Sequence, residues 1–322
     1  MAYQALYRVW RPQKFSELVG QEHVARTLQN ACRNNRIGHA YLFCGPRGTG
    51  KTSTARILAK AVNCLAVADG EPCNQCANCV AVNNGTSMDV IEIDAASNRG
   101  IDEIKSLRER VKFSSSGSRY RVYIIDEVHM LSHDAFNAFL KTLEEPPSHV
   151  IFIMATTEAH KVPLTILSRC QRFDFRRIGD DEIRARLAEV AQGEGLRVEP
   201  EALDLIAQAA EGGLRDAISI MDQAAATGEE VVTAGHIHGL LGTVAGQKVK
   251  AAADHLAEGQ TGPLLELVAD LEKWGKDPRL FARDLAGEMR SRLLAAVTGK
   301  DEPPVTRLWY TLHVLTEVEQ VL

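Results

Sequence analysis

The sequence has no apolar run of the roughly 18 residues that a membrane-spanning helix needs. The first residues, MAYQALYRVWRP, are polar and basic and lack the apolar core of a secretory signal. We therefore expect a cytoplasmic protein with no membrane partner. Proline is scarce, with 11 in 322 residues, and we find no internal repeat or low-complexity segment. With 45% hydrophobic residues, the chain is long enough for two or three domains that each bury a core.

An excess of positive charge is also lacking, because the formal net charge is -5. This value argues against a uniformly basic nucleic-acid binder. The charge is nevertheless uneven, since residues 1–60 hold ten Lys and Arg against two Asp and Glu. The asymmetry predicts an anionic ligand near this segment, with arginines that face solvent or a neighbouring subunit as the alternative.

Five short apolar runs predict buried strands of a parallel sheet. They are YLFC at 41–44, DVIEID at 89–94, RVYIID at 121–126, VIFIMAT at 150–156 and RFDF at 172–175. The segments between them are long enough for crossover helices. In HDAFNAFLKTLEE the apolar residues form one helical stripe, and the following Pro146-Pro147 ends the helix. The pattern indicates an α/β domain over residues 1–177.

Helical patterns replace the strand patterns after residue 177. Residues 178–242 hold amphipathic stretches punctuated by glycines, which predict a small helical bundle. Residues 243–322 predict a further helical domain, and the closing EVEQVL falls within a helical pattern. We therefore expect three domains, of which the last is incomplete.

The octet GPRGTGKT follows the strand YLFC and opens a helix, which is the setting that a phosphate-binding loop requires. Its glycines allow backbone N–H groups to turn toward phosphate oxygens, and the helix N-terminus adds positive potential. We expect Lys51 to reach the β- and γ-phosphates and Thr52 to ligate Mg²⁺. The predicted nucleotide-binding residues of the loop are Gly45, Pro46, Arg47, Gly48, Thr49, Gly50, Lys51 and Thr52.

Polar residues end the two strands at 121–126 and 150–156. Asp126 is predicted to lie near Mg²⁺ and Glu127 to act as the general base on the attacking water, with a solvated strand end as the alternative. The second strand ends in a pair of threonines, and we expect this end to lie beside Asp126. A hydroxyl there would orient the water or contact the γ-phosphate. We favour Thr157 for this role, with Thr156 as the rival.

Four cysteines lie between the phosphate-loop helix and the second strand, in a C-x8-C-x2-C-x2-C pattern. They are Cys64, Cys73, Cys76 and Cys79. Thiolates at this spacing predict a closed, structural Zn²⁺ site whose loop depends on metal to fold. An iron–sulfur cluster and unliganded thiols are the alternatives. The other three cysteines, Cys32, Cys44 and Cys170, are interpreted as small buried hydrophobes.

Several segments, in this order, resemble the gamma/tau clamp-loader family of bacterial DNA polymerase III, which belongs to the AAA+ ATPases. They are the phosphate loop, the four-cysteine module, IEIDAAS at 91–97, IIDEVHMLS at 124–132, KTLEEPP at 141–147, LSRC at 167–170 and GGLRDA at 212–217. The resemblance implies an AAA+ P-loop fold with a parallel five-stranded sheet, a zinc-binding insertion at about 64–79, a three-helix lid and an all-α collar for assembly.

The resemblance also implies roles for two arginines. Arg169 in LSRC matches an arginine that acts in trans, on the γ-phosphate held by the next subunit. A structural salt bridge is the alternative. Arg215 in GGLRDA matches a lid arginine that contacts the phosphates of its own chain's ATP. Its alternative is pairing with Asp216.

Further contacts follow from the same resemblance. VWRPQKFSELVGQ is similar to the segment that covers the adenine in the family, and its expected base-side contacts are Arg8, Pro12 and Val19. Asn98, Arg99 and Lys105 match a region that contacts DNA phosphates, although a solvated helix start explains them about as well.

The resemblance implies an ATPase with ATP, Mg²⁺ and Zn²⁺ as cofactors. Its expected partners are other loader subunits, the sliding clamp and primer–template DNA. Family sequences continue past the end of this chain, so we expect the last collar helix and any helicase- and polymerase-binding extension to be missing. The alternatives are another AAA+ DNA motor, such as a branch-migration helicase subunit, and a non-hydrolysing structural subunit of the loader.

Overall fold

The computed structural model describes residues 3–98, 100–242, 246–273, 278–298, 309–310 and 312–314. The chain divides into two compact units, one of Met1–Leu196 with Ile206–Gln223 and one of Arg197–Leu205 with Ala224–Leu322. The prediction for Arg99 lies outside the described residues, as do those for the start of the collar at 243–245 and for its end from 315. The three-domain division with boundaries at 177 and 242 stays a prediction.

The first unit contains the parallel five-stranded sheet that the sequence predicts. Its strands are β1 (Ala40–Cys44), β2 (Val90–Asp94), β3 (Arg121–Asp126), β4 (Val150–Thr156) and β5 (Gln171–Asp174). Their order across the sheet is β2-β3-β4-β1-β5. Cys44 in β1 is in register with Thr156 in β4, and β4 also pairs with β3. The carboxyl ends of β1, β3 and β4 therefore lie side by side in the middle of the sheet.

Two apolar cores cover the two faces of the sheet, because successive strand side chains point to opposite faces. Leu42 and Phe152 lie in one core, and Phe43 and Ile153 lie in the other. The central strands β1 and β4 are buried along their whole length. The edge strands β2 and β5 expose polar residues, so the prediction of strands apolar on both faces holds for the centre of the sheet.

Eight helices of the described residues belong wholly to this unit. They are α1 (Leu6–Val9), α2 (Glu22–Arg33), α3 (Lys51–Asn63), α4 (Ala77–Asn83), α5 (Ile101–Val111), α6 (His133–Glu144), α7 (Leu164–Leu167) and α8 (Asp180–Glu194). Short 3-10 helices span Phe15–Glu17, Val128–Met130 and Ala159–Lys161. In α6 the predicted stripe is observed, with Phe136, Phe139 and Leu143 buried and the Ser132 hydroxyl accepting from the Ala135 N–H.

The described residues after β5 form helices and one isolated bridge, between Val198 and Val232. Helices α9 (Pro200–Ala209) and α10 (Leu214–Ala225) cross the division between the units, and α11 (Ala234–Leu241), α12 (Gly246–Glu258), α13 (Thr261–Lys273) and α14 (Pro278–Thr298) follow. Ala252, Leu271 and Phe281 lie in the core that joins α12, α13 and α14. Among the described residues, no helix is both long and apolar enough to cross a membrane.

Candidate nucleotide and metal sites

The phosphate loop lies between the end of β1 and the start of α3. Its glycines adopt positive φ angles, +150° at Gly45, +77° at Gly48 and +100° at Gly50. A Cβ atom at Gly45 would lie 2.4 Å from the carbonyl oxygen of Phe175, and one at Gly48 would lie 2.9 Å from the Cα of Gly213. Neither position accepts a side chain, so the sequence keeps the loop closely packed at the N-terminus of α3, where free N–H groups attract anions.

Lys51 is buried at the start of α3. Its Nζ donates hydrogen bonds to the carbonyl oxygens of Gly45 at 2.8 Å and Pro46 at 2.7 Å. Burial lowers the pKa of Lys51, while the nearby carboxylates of Glu127 and Asp126 act in the opposite direction. The lysine is therefore fixed inside the loop with two acids in electrostatic range.

Thr52 and Asp126 bring two oxygen ligands together. The Thr52 hydroxyl donates to Oδ2 of Asp126 at 2.7 Å, although the residues lie in different elements. Hydroxyl and carboxylate oxygens are ligands that Mg²⁺ accepts alongside phosphate oxygens. The donor set thus fits the ion that the sequence predicts beside the loop.

Glu127 directly follows β3 and has the left-handed backbone conformation, with φ of +46°. This conformation is uncommon for a residue with a side chain, and such residues cluster at functional sites. Oε2 of Glu127 accepts from the Thr157 hydroxyl at 3.0 Å and from its N–H at 3.2 Å. The predicted base and the favoured threonine are therefore in direct contact.

Thr156 has a different environment from Thr157. Its side chain is fully buried, and its hydroxyl oxygen lies 3.0 Å from Nδ1 of His129 and accepts from the Glu158 N–H at 3.0 Å. The contact with Glu127 favours Thr157 over its rival for a role at the reacting water.

His129 was not predicted from the sequence, and its side chain is buried beside the predicted base. Its Nδ1 lies 3.3 Å from Oε2 of Glu127, and its Nε2 lies 3.2 Å from Oε1 of Glu158. The available signal was its position two residues after Glu127, in the short 3-10 helix Val128–Met130. Oε2 of Glu127 is therefore contacted by His129 as well as by Thr157.

A cavity of about 350 Å³ opens at this edge of the sheet. The predicted residues that line it are Arg47, Gly48, Thr49, Gly50, Lys51, Thr52, Asp126, Glu127, Pro12, Val19 and Arg215. Trp10, Leu18 and Ile218 add apolar walls of the kind that a nucleotide base requires. Arg8 lines a neighbouring cavity instead, and Thr157 contacts Glu127 without lining this cavity.

Arg215, near the start of α10, lies in the cavity and not against its neighbour in sequence. Its guanidinium stands 4.8 Å from the ring centroid of Tyr7. Asp216 instead lies 3.7 Å from the guanidinium of Arg47. Among the described residues, Asp216 therefore pairs with Arg47 and not with Arg215, the alternative partner considered from the sequence.

Arg169 follows α7 and does not line the nucleotide cavity of its own chain. Its NH2 donates to Oε1 of Glu144 at 2.8 Å, and its NH1 donates to the carbonyl oxygen of Thr165 at 2.8 Å. Glu144 belongs to the KTLEEPP segment and was not singled out from the sequence. The salt bridge that the sequence analysis left open is present, and it leaves the guanidinium partly exposed.

The four predicted metal-binding cysteines converge, since their Sγ atoms all lie within 4.8 Å of one another. A tetrahedral zinc site with bonds of about 2.3 Å would place its sulfurs about 3.8 Å apart. The amides of Gln75 and Cys76 donate to the sulfur of Cys73 and lower its pKa to about 6. The cluster fits a thiolate metal site.

The remaining cysteines lie outside the cluster in apolar surroundings. Cys44 is buried in β1, and burial raises the pKa of both Cys32 and Cys170 to about 12. The interpretation as small buried hydrophobes thus holds for Cys44, whereas Cys32 and Cys170 are half-buried at the edge of the two apolar cores.

The predicted DNA contacts have local partners. The Asn98 amide donates to the carbonyl oxygen of Asp94 at 2.9 Å, and Nζ of Lys105 lies 3.5 Å from Oδ1 of Asp102. The first contact lies in the turn after β2 and the second in the first turns of α5, and a role in DNA binding stays a prediction for these residues.

Comparisons with known proteins identify the family. Residues 20–179 match the model described as DNA polymerase III, delta subunit, and residues 182–230 match the DNA polymerase III clamp loader subunit, ATPase lid domain. The chain is 53% identical over 294 residues to DNA polymerase III subunit tau of Bacillus subtilis, which covers 91% of this chain and 52% of that protein. This chain belongs to the gamma/tau family of bacterial DNA polymerase III subunits.

Two further relatives agree with this assignment. Identity is 46% over 268 residues to subunit tau of Escherichia coli, covering 83% of this chain and 42% of that protein. Identity to subunit gamma/tau of Mycobacterium tuberculosis is 44% over 293 residues, covering 90% of this chain and 51% of that protein. The chain spans about half the length of the curated relatives it matches.

A solved structure, the Thermotoga maritima RuvB Holliday junction branch migration motor, resembles this fold with a TM-score of 0.53. It is 19% identical and covers 83% of this chain and 86% of that chain. At this identity the likeness shows the fold alone. The predicted AAA+ α/β fold is therefore confirmed. The match to the clamp loader ATPase lid domain implies a nucleotide with Mg²⁺ at the phosphate loop.

Proposed function

We propose that this chain is the ATPase motor subunit of the bacterial DNA polymerase III clamp loader. ATP binding and hydrolysis would drive the opening of a ring-shaped sliding clamp and its loading onto primer–template DNA. The observation that carries the proposal is the meeting of Thr52, Asp126 and Glu127 beside the phosphate loop, in a chain of the gamma/tau family.

Binding of ATP is assigned to the loop and the walls of the cavity. The loop amides and Lys51 would hold the β- and γ-phosphates, and Pro12 and Val19 would contact the base. Thr52 and Asp126 would ligate Mg²⁺, which neutralises charge on the phosphate oxygens when bound. Arg215 would contact the phosphates from α10 and draw the lid over the nucleotide.

Hydrolysis is assigned to Glu127, which would take a proton from the attacking water as general base. Thr157 orients this carboxylate through two hydrogen bonds. Arg169 would act on the ATP of the neighbouring subunit, and an arginine finger contributes roughly 10³ to 10⁵ in rate in other phosphoryl-transfer systems. Each site would then be complete only in the assembly.

Assembly with other loader subunits, the clamp and primer–template DNA follows from the same proposal, as does a place in the cytoplasm with the replication machinery. Cys64, Cys73, Cys76 and Cys79 would hold Zn²⁺, which supplies a structural crosslink to the module when bound. DNA would be contacted through its phosphates, so salt should weaken its binding steeply.

The test assembles this chain with its presumed partner subunits and measures ATP turnover with and without clamp and primed DNA. We expect both additions to raise turnover, and Glu127→Gln to lower it at least about 100-fold while ATP binding is kept. Glu145→Gln, an exposed glutamate next to Glu144, is the matched control.

Two outcomes would contradict the proposal. Turnover that ignores both clamp and primed DNA would favour another AAA+ DNA motor, such as a branch-migration helicase subunit. An assembled complex in which this chain binds ATP, and in which Glu127→Gln changes nothing, would favour a non-hydrolysing structural subunit.

A further inference from the structure

A second cavity, of about 390 Å³, lies beside the nucleotide cavity, between the N-terminal segment and helices α3 and α4. Five of its lining side chains are cations, and none is a carboxylate. They are Arg8, Arg11, Arg56, Lys60 and Arg215. The proposed function gives no role to Arg11, Arg56 or Lys60.

These cations have few counter-charges. Of these five cations, only Arg56 forms an ion pair with another described residue, Glu92, at 2.7 Å. Arg8 donates to the hydroxyl of Tyr7 at 3.3 Å, and Arg215 stacks on the same ring. No hydrogen bond or ion pair within the described part of the chain reaches the guanidinium of Arg11.

Lys60 is a buried lysine held by neutral oxygens. Its Nζ donates to Oε1 of Gln13 and Oδ1 of Asn74, both at 2.6 Å, and to Oδ1 of Asn83 at 2.9 Å. An ammonium group has three hydrogens, so Lys60 has none left for a ligand. It adds positive charge to the cavity wall and leaves ligand contacts to the arginines.

Two pKa shifts are consistent with the burial and the positive charge of this cavity. Burial lowers the pKa of Arg11, and the charge of Arg56 lowers it further. The pKa of the Tyr7 phenol is lowered by hydrogen bonds from Arg8 and then Arg215. Cations gathered in a concave, partly desolvated space repel one another, and a bound anion removes that cost.

Three of the lining arginines, Arg8, Arg11 and Arg56, can supply phosphate ligands. Arg56 is held by two hydrogen bonds to Glu92, at 2.8 and 2.9 Å, so its position is fixed before a ligand arrives. A guanidinium pairs with two oxygens of one phosphate, which a lysine cannot match. Glu92 occupies Nε and Nη2 of Arg56, so Arg56 offers a ligand its remaining N–H groups, and Arg8 and Arg11 add two more guanidinium groups. Together they suit a ligand with more than one phosphate group.

We propose that this cavity binds a small oligophosphate, of the pyrophosphate or nucleoside-polyphosphate class, at a site separate from the phosphate loop. The cavity shares Tyr7, Arg11 and Arg215 with the nucleotide cavity. An oligophosphate there places negative charge beside ATP and competes for Arg215, so it weakens ATP binding. By linkage, ATP weakens oligophosphate binding by the same factor.

The test titrates pyrophosphate, without Mg²⁺, into the full chain carrying Lys51→Ala, which disables the phosphate loop. Calorimetry should still detect binding. Adding Arg56→Gln should weaken it at least roughly tenfold, the equivalent of one charge-assisted contact. Arg33→Gln is the matched control, because Arg33 is also ion-paired, to Asp69 at 3.4 Å, and lines neither cavity.

Other results would overturn the proposal. They are no pyrophosphate binding by the Lys51→Ala chain, equal losses for Arg56→Gln and Arg33→Gln, or Arg56-dependent binding of a short single-stranded oligonucleotide but not of pyrophosphate. Should Arg56→Gln reduce the melting temperature, the exposed Arg8→Gln serves in its place. None of these results bears on the ATPase proposal, because ATP turnover with clamp and DNA is measured without pyrophosphate.

Discussion

The guanidinium of Arg169 lies 2.8 Å from Oε1 of Glu144, the last residue of α6. Helix α6 begins at His133, shortly after the carboxylates Asp126 and Glu127 at the end of β3. The arginine proposed to serve a neighbouring subunit is therefore held by the helix that follows this chain's own acids. An arginine already oriented loses less side-chain entropy when it reaches a phosphate.

Glu144→Gln should loosen Arg169 without changing nucleotide contacts in its own chain. We expect ATP turnover of the assembled complex to fall by a factor of about two to five, since an exposed ion pair contributes up to about 1 kcal/mol. The affinity for ATP should stay the same. Glu145→Gln is the control, and equal effects of the two substitutions would show that Glu144 has no special relation to Arg169.

Arg169→Ala should leave ATP binding by the isolated chain intact and lower turnover of the assembly by about 10³ or more. A complex that combines Arg169→Ala chains with Lys51→Ala chains should recover part of the turnover. In such a complex, an intact phosphate loop can lie next to an intact Arg169. Loss of ATP binding by the isolated Arg169→Ala chain would instead assign this arginine a structural role.

The four-cysteine cluster predicts one Zn²⁺ per chain after native purification. Cys76→Ser should remove the metal and lower the melting temperature, because metal binding and folding of such a module are coupled. Cys170→Ser is the control, since Cys170 lies outside the cluster. Elemental analysis that finds iron, or a metal content unaffected by Cys76→Ser, would contradict the zinc assignment.

Lys60→Met should destabilise the fold, because it removes the donor from the half-buried oxygens of Gln13 and Asn74 and from the exposed oxygen of Asn83. The expected loss is about 1 kcal/mol in the free energy of unfolding, measured by urea denaturation. Lys14→Met, at an exposed position, provides the comparison. A loss no greater than that of Lys14→Met would mean that water replaces the ammonium group.

The Glu127–Thr157 contact predicts that Thr157→Val lowers turnover about tenfold and leaves ATP affinity unchanged. The valine removes the hydroxyl donor and keeps the shape of the side chain. Single-turnover measurements on the assembled complex would detect the change in the chemical step. A similar defect in Thr156→Val, whose hydroxyl does not contact Glu127, would argue against this positioning role.

Local sequence patterns were enough to predict the strands, α6 and the phosphate loop. Each depends on a period or a motif within a few residues, such as the spacing of Phe136, Phe139 and Leu143. The prediction that β4 ends beside β3 is also confirmed. Parallel strands bring such ends together whatever lies between them in sequence.

The contacts that the sequence did not reveal join distant residues. The ion pair of Arg169 with Glu144 spans 25 positions, and Lys60 reaches Gln13 across 47. The oligophosphate cavity likewise needs the N-terminal arginines to lie beside α3. No periodicity or spacing encodes such pairs, because they depend on how whole elements pack.

The approach of Gly48 to Gly213 joins the phosphate loop to the residue just before α10 with no side chain between them. The Arg215 N–H also points toward the carbonyl oxygen of Gly48, at 3.4 Å. No flexible side chain lies between the two backbones to adjust when the loop moves. A shift of the loop must therefore either move the first turn of α10 or break this contact. Because neither Gly48 nor Gly213 has a Cβ atom, the phosphate loop and the start of α10 pack backbone to backbone and should move together.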